Sequence, residues 1–108
     1  MCKVDEIFTA ISSERRRLTL YHLERHLTLS LPDLAELVAE TERGKDVREL
    51  TGERIKRVYM SLYHRHVPRL EAAELVRYDQ ETDVVRRTEA VPTALDTARE
   101  TLQRIEAR

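Results

Sequence analysis

Glycine, cysteine and tryptophan are scarce in this chain of 108 residues: two Gly, one Cys and no Trp. Few glycines and 36% charged residues suit a helix-rich soluble domain rather than a turn-rich sheet protein. The lone cysteine, Cys2, cannot form an internal disulfide and reads as an incidental thiol near a fraying end. No apolar run approaches the ~18 residues of a membrane span. The start of the chain has no long apolar stretch of the secretory kind, so a cytoplasmic protein without membrane contact is expected. A phosphate-binding glycine loop, a Ser-His-Asp order and an isolated carboxylate pair are all missing, so no enzyme is expected. His22 and His26 lie four apart on one helical face, a spacing that can bind zinc, but no cysteine cluster completes a site. No cofactor and no metal site are therefore expected, although a metal-responsive sensor assembled across a dimer is an alternative.

What the chain does have is segregated charge. Net charge is −1. Residues 43–69 nevertheless hold eight Arg or Lys against three acids, whereas residues 27–42 hold four acids and no Arg or Lys. Of the 19 cationic residues, 16 are arginine, as in proteins of high-salt or GC-rich origin. At near-molar salt the Debye length falls to about 3 Å, and binding then needs close guanidinium forks rather than diffuse attraction.

Apolar spacing sets out the elements. Val4, Ile7, Phe8 and Ile11 form one helical stripe. Ser13 caps a second helix through Glu14-Arg15-Arg16-Arg17, burying Leu18, Leu20 or Tyr21, and Leu23. The three arginines fan around one turn and are expected to be solvated. Leu27-Thr28-Leu29 is β-prone and can be a third strand beside a later hairpin. Ser30-Leu31-Pro32-Asp33 has capping-box form and opens a helix that buries Leu34, Leu37, Val38 and Thr41. Residues 42–50 form a long polar connector containing Gly44, either a flexible loop or a partly helical insertion.

Thr51 then caps the strongest periodic run: Ile55, Val58, Tyr59, Leu62, Tyr63, Val67 and Leu70 recur at helical spacing. Pro68 should kink this helix or begin a new turn. Residues 75–78 and 84–87 read as two strands around a loop at 79–83. Val91-Pro92 breaks the sheet, and Thr93 starts a last helix in which Leu95, Ala98, Leu102 and Ile105 follow a coiled-coil seam. The fold class is therefore mainly α with a small β-hairpin wing: a winged helix-turn-helix domain over residues 1–90, then a C-terminal helix over 91–108 suited to dimerisation.

The segments Ile7-Phe8, Ser13-Glu14-Arg15-Arg16-Arg17, Asp33-Leu34-Ala35-Glu36, Arg57-Val58-Tyr59-Met60-Ser61-Leu62-Tyr63, Val67-Pro68-Arg69-Leu70 and Val76-Arg77-Tyr78-Asp79 resemble a largely uncharacterised haloarchaeal family of small winged helix-turn-helix proteins, similar to ArsR-like regulators. The resemblance spans roughly residues 5–88. It implies a dimeric DNA-binding transcriptional regulator and supplies no effector. The chain departs from that pattern where Glu74 stands in place of the usual glycine at a helix end, at a cost of about 1 kcal/mol if the backbone is left-handed. It departs again in the acidic wing tip Gln80-Glu81-Thr82-Asp83, a poor phosphate clamp.

Double-stranded DNA is accordingly the expected partner, bound by a homodimer. The side of the recognition helix opposite its apolar stripe carries Arg54, Lys56, Arg57, Met60, Ser61, His64 and Arg65. Arg54, Arg57 and Ser61 form a line suited to base edges, and Lys56 and Arg65 flank it for phosphates. Arg77 and Arg86, or Arg87, would serve from the base of the wing. Tyr59, Tyr63, Tyr21 and Tyr78 are expected to pack rather than stack on bases. The competing expectation is a winged-helix module that binds protein without touching DNA.

Overall fold

The computed structural model describes residues 3–107, so Cys2 lies outside it. Asp5 and Glu6 occupy the first turn of α1 (Lys3–Ile11), where acids favour the positive helix end. Ser13 caps α2 (Glu14–His26), its hydroxyl accepting the Arg16 N–H. Leu27 closes α2 in left-handed backbone, φ 64°, and leads into β1 (Thr28–Ser30). Ser30 then caps α3 (Leu31–Arg43), accepting the Asp33 N–H at 3.2 Å, with Pro32 in the first turn. α3 ends at Gly44, left-handed with φ 63°, a conformation that favours glycine.

The connector to α4 is a partly helical insertion. A short 3₁₀ turn, Val47–Glu49, is capped by Asp46, which accepts the Arg48 N–H at 2.9 Å while Glu49 accepts the Asp46 N–H at 3.2 Å. Glu40 anchors it from α3 by accepting the Val47 N–H at 2.7 Å. Thr51 caps α4 (Gly52–Ser61) through the Arg54 N–H.

The long periodic run is not one α-helix. Leu62–His66 winds as a single π turn, with the Val67 N–H bonded to the Leu62 carbonyl, before α5 (Val67–Ala72) resumes. Pro68 has no N–H to continue the α register, and a π turn absorbs the mismatch without a sharp break. The extra residue also rotates the face so that Leu62, His66, Val67 and Leu70 all end buried. Glu74 is left-handed, φ 60°, as the sequence position implied. It closes a Schellman cap in which the Glu74 N–H bonds Glu71 O and the Leu75 N–H bonds Leu70 O, both at 2.9 Å.

β2 (Val76–Asp79) and β3 (Val84–Arg87) complete an antiparallel sheet of order β1-β3-β2. Leu29, Val85 and Tyr78 share one row facing the helices; Thr28, Arg86 and Arg77 share the outer row. The architecture is thus mainly helical, with a three-stranded wing and a C-terminal helix.

That last helix, α6 (Val91–Glu106), begins two residues earlier than its sequence suggested, with Pro92 in the first turn. Its first half joins the common core: Val91, Ala94, Leu95 and Ala98 are buried with Leu20, Leu23, Leu34, Leu62 and Leu70. Leu95 and Ala98, expected on a dimer seam, therefore pack inside their own chain, and residue 90 marks an element boundary within one core. Other details differ from the apolar pattern. Val4, Phe8 and Tyr21 are exposed, Leu18 and Leu37 are half-buried, and Thr41 is exposed, donating to Leu37 O.

The three arginines Arg15, Arg16 and Arg17, expected to be solvated, are structural. Arg16 is buried; its Nε donates to Ala10 O at 2.8 Å and its Nη2 to Thr9 O at 2.9 Å, satisfying carbonyls at the end of α1. Arg17 donates to Ile11 O at 2.8 Å. The Arg16 Nη1 also reaches His66 Nδ1 at 3.0 Å, and a guanidinium only donates, so His66 is neutral with its proton on Nε2. Burial, then the nearby Arg16 charge, lowers His66 to about 4 from an ordinary 6.5. Arg16 thus locks α1, α2 and the π turn together.

Replacing Arg16 with Ala should cost about 3 kcal/mol in urea unfolding, because two helix-end carbonyls and His66 lose a charged donor. His66 adds a pH dependence. Between pH 6.5 and about 4 the unfolded chain binds the proton that the folded chain refuses, so stability falls as pH drops through that window. His66→Gln should flatten this part of the unfolding-versus-pH curve; an unaltered slope would count against the buried neutral imidazole.

Candidate nucleic-acid interface

α4 packs on α3 through Val58, with Ile55 and Tyr59 half-buried beside it. The opposite edge is open: Lys56, Arg57 and Met60 are exposed, and the edge continues into the π turn through His64 and Arg65. Ser61 lies half-buried at its margin. The acid closest to Arg57 is Glu53 at 3.9 Å, and both side chains are more than 70% exposed, so this pair exchanges readily for another anion. The π turn parts the two histidines that follow: His64 is exposed and His66 is buried.

Arg54 does not belong to that open edge, contrary to its helical position opposite the apolar stripe. Its Nη2 bonds Glu42 Oε1 at 3.2 Å, and its Nε is sealed from solvent with no acceptor. Glu42 is itself nearly buried and already holds Arg15 as a two-point fork, at 2.6 Å and 2.8 Å. One carboxylate at the end of α3 therefore gathers an arginine from α2 and another from α4. The line Arg54-Arg57-Ser61 is broken at its first member.

The wing supplies the second cationic group. Arg77 and Arg86 are direct cross-strand partners on the outer face of the sheet, and both are exposed. Like charges placed opposite one another repel, and an anion between or beside them relieves that repulsion. Arg87 is half-buried on the other face.

The wing tip is less acidic outward than its sequence implied. Asp83, left-handed at φ 57°, turns its carboxylate toward α4 and accepts the Tyr59 hydroxyl at 2.7 Å and the Tyr78 hydroxyl at 2.5 Å. The hydrogen bond to Asp83 holds the Tyr59 phenol above its ordinary range; burial, then its own hydrogen bond to Asp83, does so for Tyr78. The Asp83 carbonyl also accepts the Leu31 N–H at 2.7 Å, and Gln80 donates to the Tyr63 hydroxyl at 2.9 Å. Tyr63 lies parallel to Tyr59 and edge-on to Tyr78. Tyr59, Tyr63 and Tyr78 therefore pack the wing onto the helix, while Asp79 and Glu81 remain exposed at the tip.

His22 is buried, and its Nε2 lies 2.9 Å from Thr41 Oγ1. Because the Thr41 hydroxyl donates to Leu37 O, the His22 ring is the donor in that contact. Among the described residues no three His, Cys, Asp or Glu side chains group as metal ligands, and no helix is long and apolar enough to cross a membrane.

Glu42 and Asp83 were not singled out by sequence. Each lies in an acidic stretch with no local pattern marking it as the one that turns inward, and their arginine and tyrosine partners come from other elements.

Residues 8–86, from α1 through the last wing strand, match the model of a family described as a domain of unknown function (DUF7344), and the chain belongs to that family. No curated protein and no solved structure matches the chain.

Asp83→Ala removes two charge-assisted bonds and puts alanine, which visits left-handed backbone less readily than aspartate, at φ 57°. A loss of about 2 kcal/mol is expected in urea unfolding, with faster amide exchange across residues 76–87. Unchanged exchange in the wing would show that the tyrosine contacts do not fix it to α4.

Proposed function

We propose that this DUF7344 protein is a DNA-binding regulator that acts as a homodimer in the cytoplasm. In this reading α4 docks in the major groove of duplex DNA with Arg57, Ser61 and His64 toward base edges. Lys56 and Arg65 reach the flanking phosphates, and Arg77 and Arg86 meet the backbone from the wing. The observation that carries it is the exposed edge of α4 and the π turn, where Lys56, Arg57 and Arg65 stand beside His64 and the one acid paired there is the loosely held, exposed Glu53. A guanidinium can grip guanine O6 and N7 as a fork, which a diffuse positive surface cannot do.

Pairing of two copies is proposed through the outer half of α6 and the adjoining face of α1. Leu102 and Ile105 are exposed there, as are Val4 and Phe8, and a cavity lined by Phe8, Ile11, Ala98 and Leu102 runs between the helices. A two-fold pair would read a pseudo-palindrome.

One observation favours a protein partner instead. Net charge is −1, and the tip of the wing exposes Asp79 and Glu81, which oppose a phosphate backbone. Duplex titration by fluorescence anisotropy across a salt series separates the two readings. Affinity should fall linearly in log-log form as salt rises. Arg57→Ala should lose preference for a selected sequence over a scrambled one, whereas Lys56→Ala should weaken both equally. Absence of duplex binding at low salt would favour the protein-partner reading.

The dimer has its own test. Leu102→Asp with Ile105→Asp leaves the core untouched, and sedimentation should show the mass halved with the fold intact. An unchanged mass would remove α6 as the contact.

A further inference from the structure

The insertion between α3 and α4 is unusually long for a helix-turn-helix turn, and it builds a cavity of about 210 Å³. Arg43, Lys45, Glu49, Leu50, Thr51 and Arg54 line it. Three cations therefore face one cavity with a single carboxylate, and that carboxylate, Glu49, already accepts the Asp46 N–H. Among the described residues neither the Arg43 nor the Lys45 side chain has a hydrogen-bonded or ion-paired partner, the Lys45 backbone N–H alone being bonded, to Glu40 O at 3.2 Å. Arg54 keeps one buried Nε donor unsatisfied. Left-handed Gly44 sets Arg43 and Lys45 on either side of the chain reversal. The Glu42 contact holds Arg54 back from the open edge of α4 and keeps it at this cavity.

We propose that this cavity is a phosphate pocket, in which Arg43, Lys45 and Arg54 together hold one backbone phosphate of the duplex. It rests on the DNA-binding reading above and reassigns Arg54 from base edge to backbone. The positive end of α4 adds to the charges of Arg43 and Lys45 and to that of Arg54, which is shared with Glu42. Nothing lies within 4 Å of the position a Cβ would take on Gly52, so no other element crowds the first turn of α4 at that point. Arg57 follows Arg54 by three residues, a rise of about 4.5 Å along the helix. A phosphate gripped at the pocket would therefore fix how far α4 slides in the groove, setting register for the residues that face bases.

The test uses the full chain with Arg43→Gln and Lys45→Gln combined. Both side chains are exposed, so the thermal melt should match that of the wild type. The double variant should bind selected and scrambled duplexes about tenfold more weakly, with the slope of log affinity against log salt reduced by about one. Sequence preference should be retained. Wild-type affinity and slope in the double variant would overturn the pocket while leaving the DNA-binding reading intact. If the wild type binds no duplex, that reading fails and inorganic phosphate decides the pocket alone. Resonances of the Arg54 Nε–H and the Gly52 amide should shift on phosphate addition in the wild type and not in the double variant. Shifts there without duplex binding would overturn the DNA backbone as the source and leave a free phosphate ligand; no shifts would overturn the pocket.

Discussion

Glu42 is the constraint on which the arrangement of α2, α3 and α4 depends. It stands at the last turn of α3, nearly buried, and takes a two-point fork from Arg15 and a third bond from Arg54. A carboxylate withdrawn from water is tolerated only where such donors surround it, and removing one partner is far costlier than the net worth of the pair. The same carboxylate orients α4 on α3 and decides which cations remain at the surface. Arg54 is retained beside the connector, and the open edge of α4 begins at Lys56.

The arginine-rich composition therefore divides into two populations with different physics. Arg15, Arg16, Arg17 and Arg54 act as internal connectors, using planar donor arrays to satisfy helix-end carbonyls and a buried acid. Arg57, Arg65, Arg77 and Arg86 stand exposed, Arg57 with only a weak local acid and Arg77 opposite Arg86. Asp83 plays the corresponding role for the wing, binding two tyrosine hydroxyls and the first amide of α3. Helix and wing are thereby held as one surface, which would lower the ordering cost of the binding proposed for it.

Much of this fold was legible in the residues because local rules and tertiary packing agree. Ser13, Ser30 and Thr51 cap the helices their positions implied, the β-prone stretch after α2 pairs as the third strand, and Glu74 adopts the left-handed backbone usual for glycine. The candidate site was legible only in part. Helical spacing puts Arg54 and Arg57 on one side, but a long side chain can fold back toward a buried acid from another element, and spacing carries no trace of that. The same holds for Arg15 through Arg17, whose partners are a glutamate 27 residues away and carbonyls of α1. Leu95 and Ala98 kept seam spacing while packing inward, because a helix stripe does not say whether its partner is the same chain or another. The π turn at residues 62–66 likewise followed from the conflict between Pro68 and continued burial, which periodicity alone presents as a smooth helix.

The most direct measurement is an amide-shift titration of the isotope-labelled chain with duplex DNA at low salt. Perturbations should concentrate on Lys56, Arg57, Met60, Ser61, His64 and Arg65, extend to Arg77 and Arg86, and fade as salt rises. Perturbations confined to α1 and α6, or none along the outer edge of α4, would contradict the assignment of that edge to DNA.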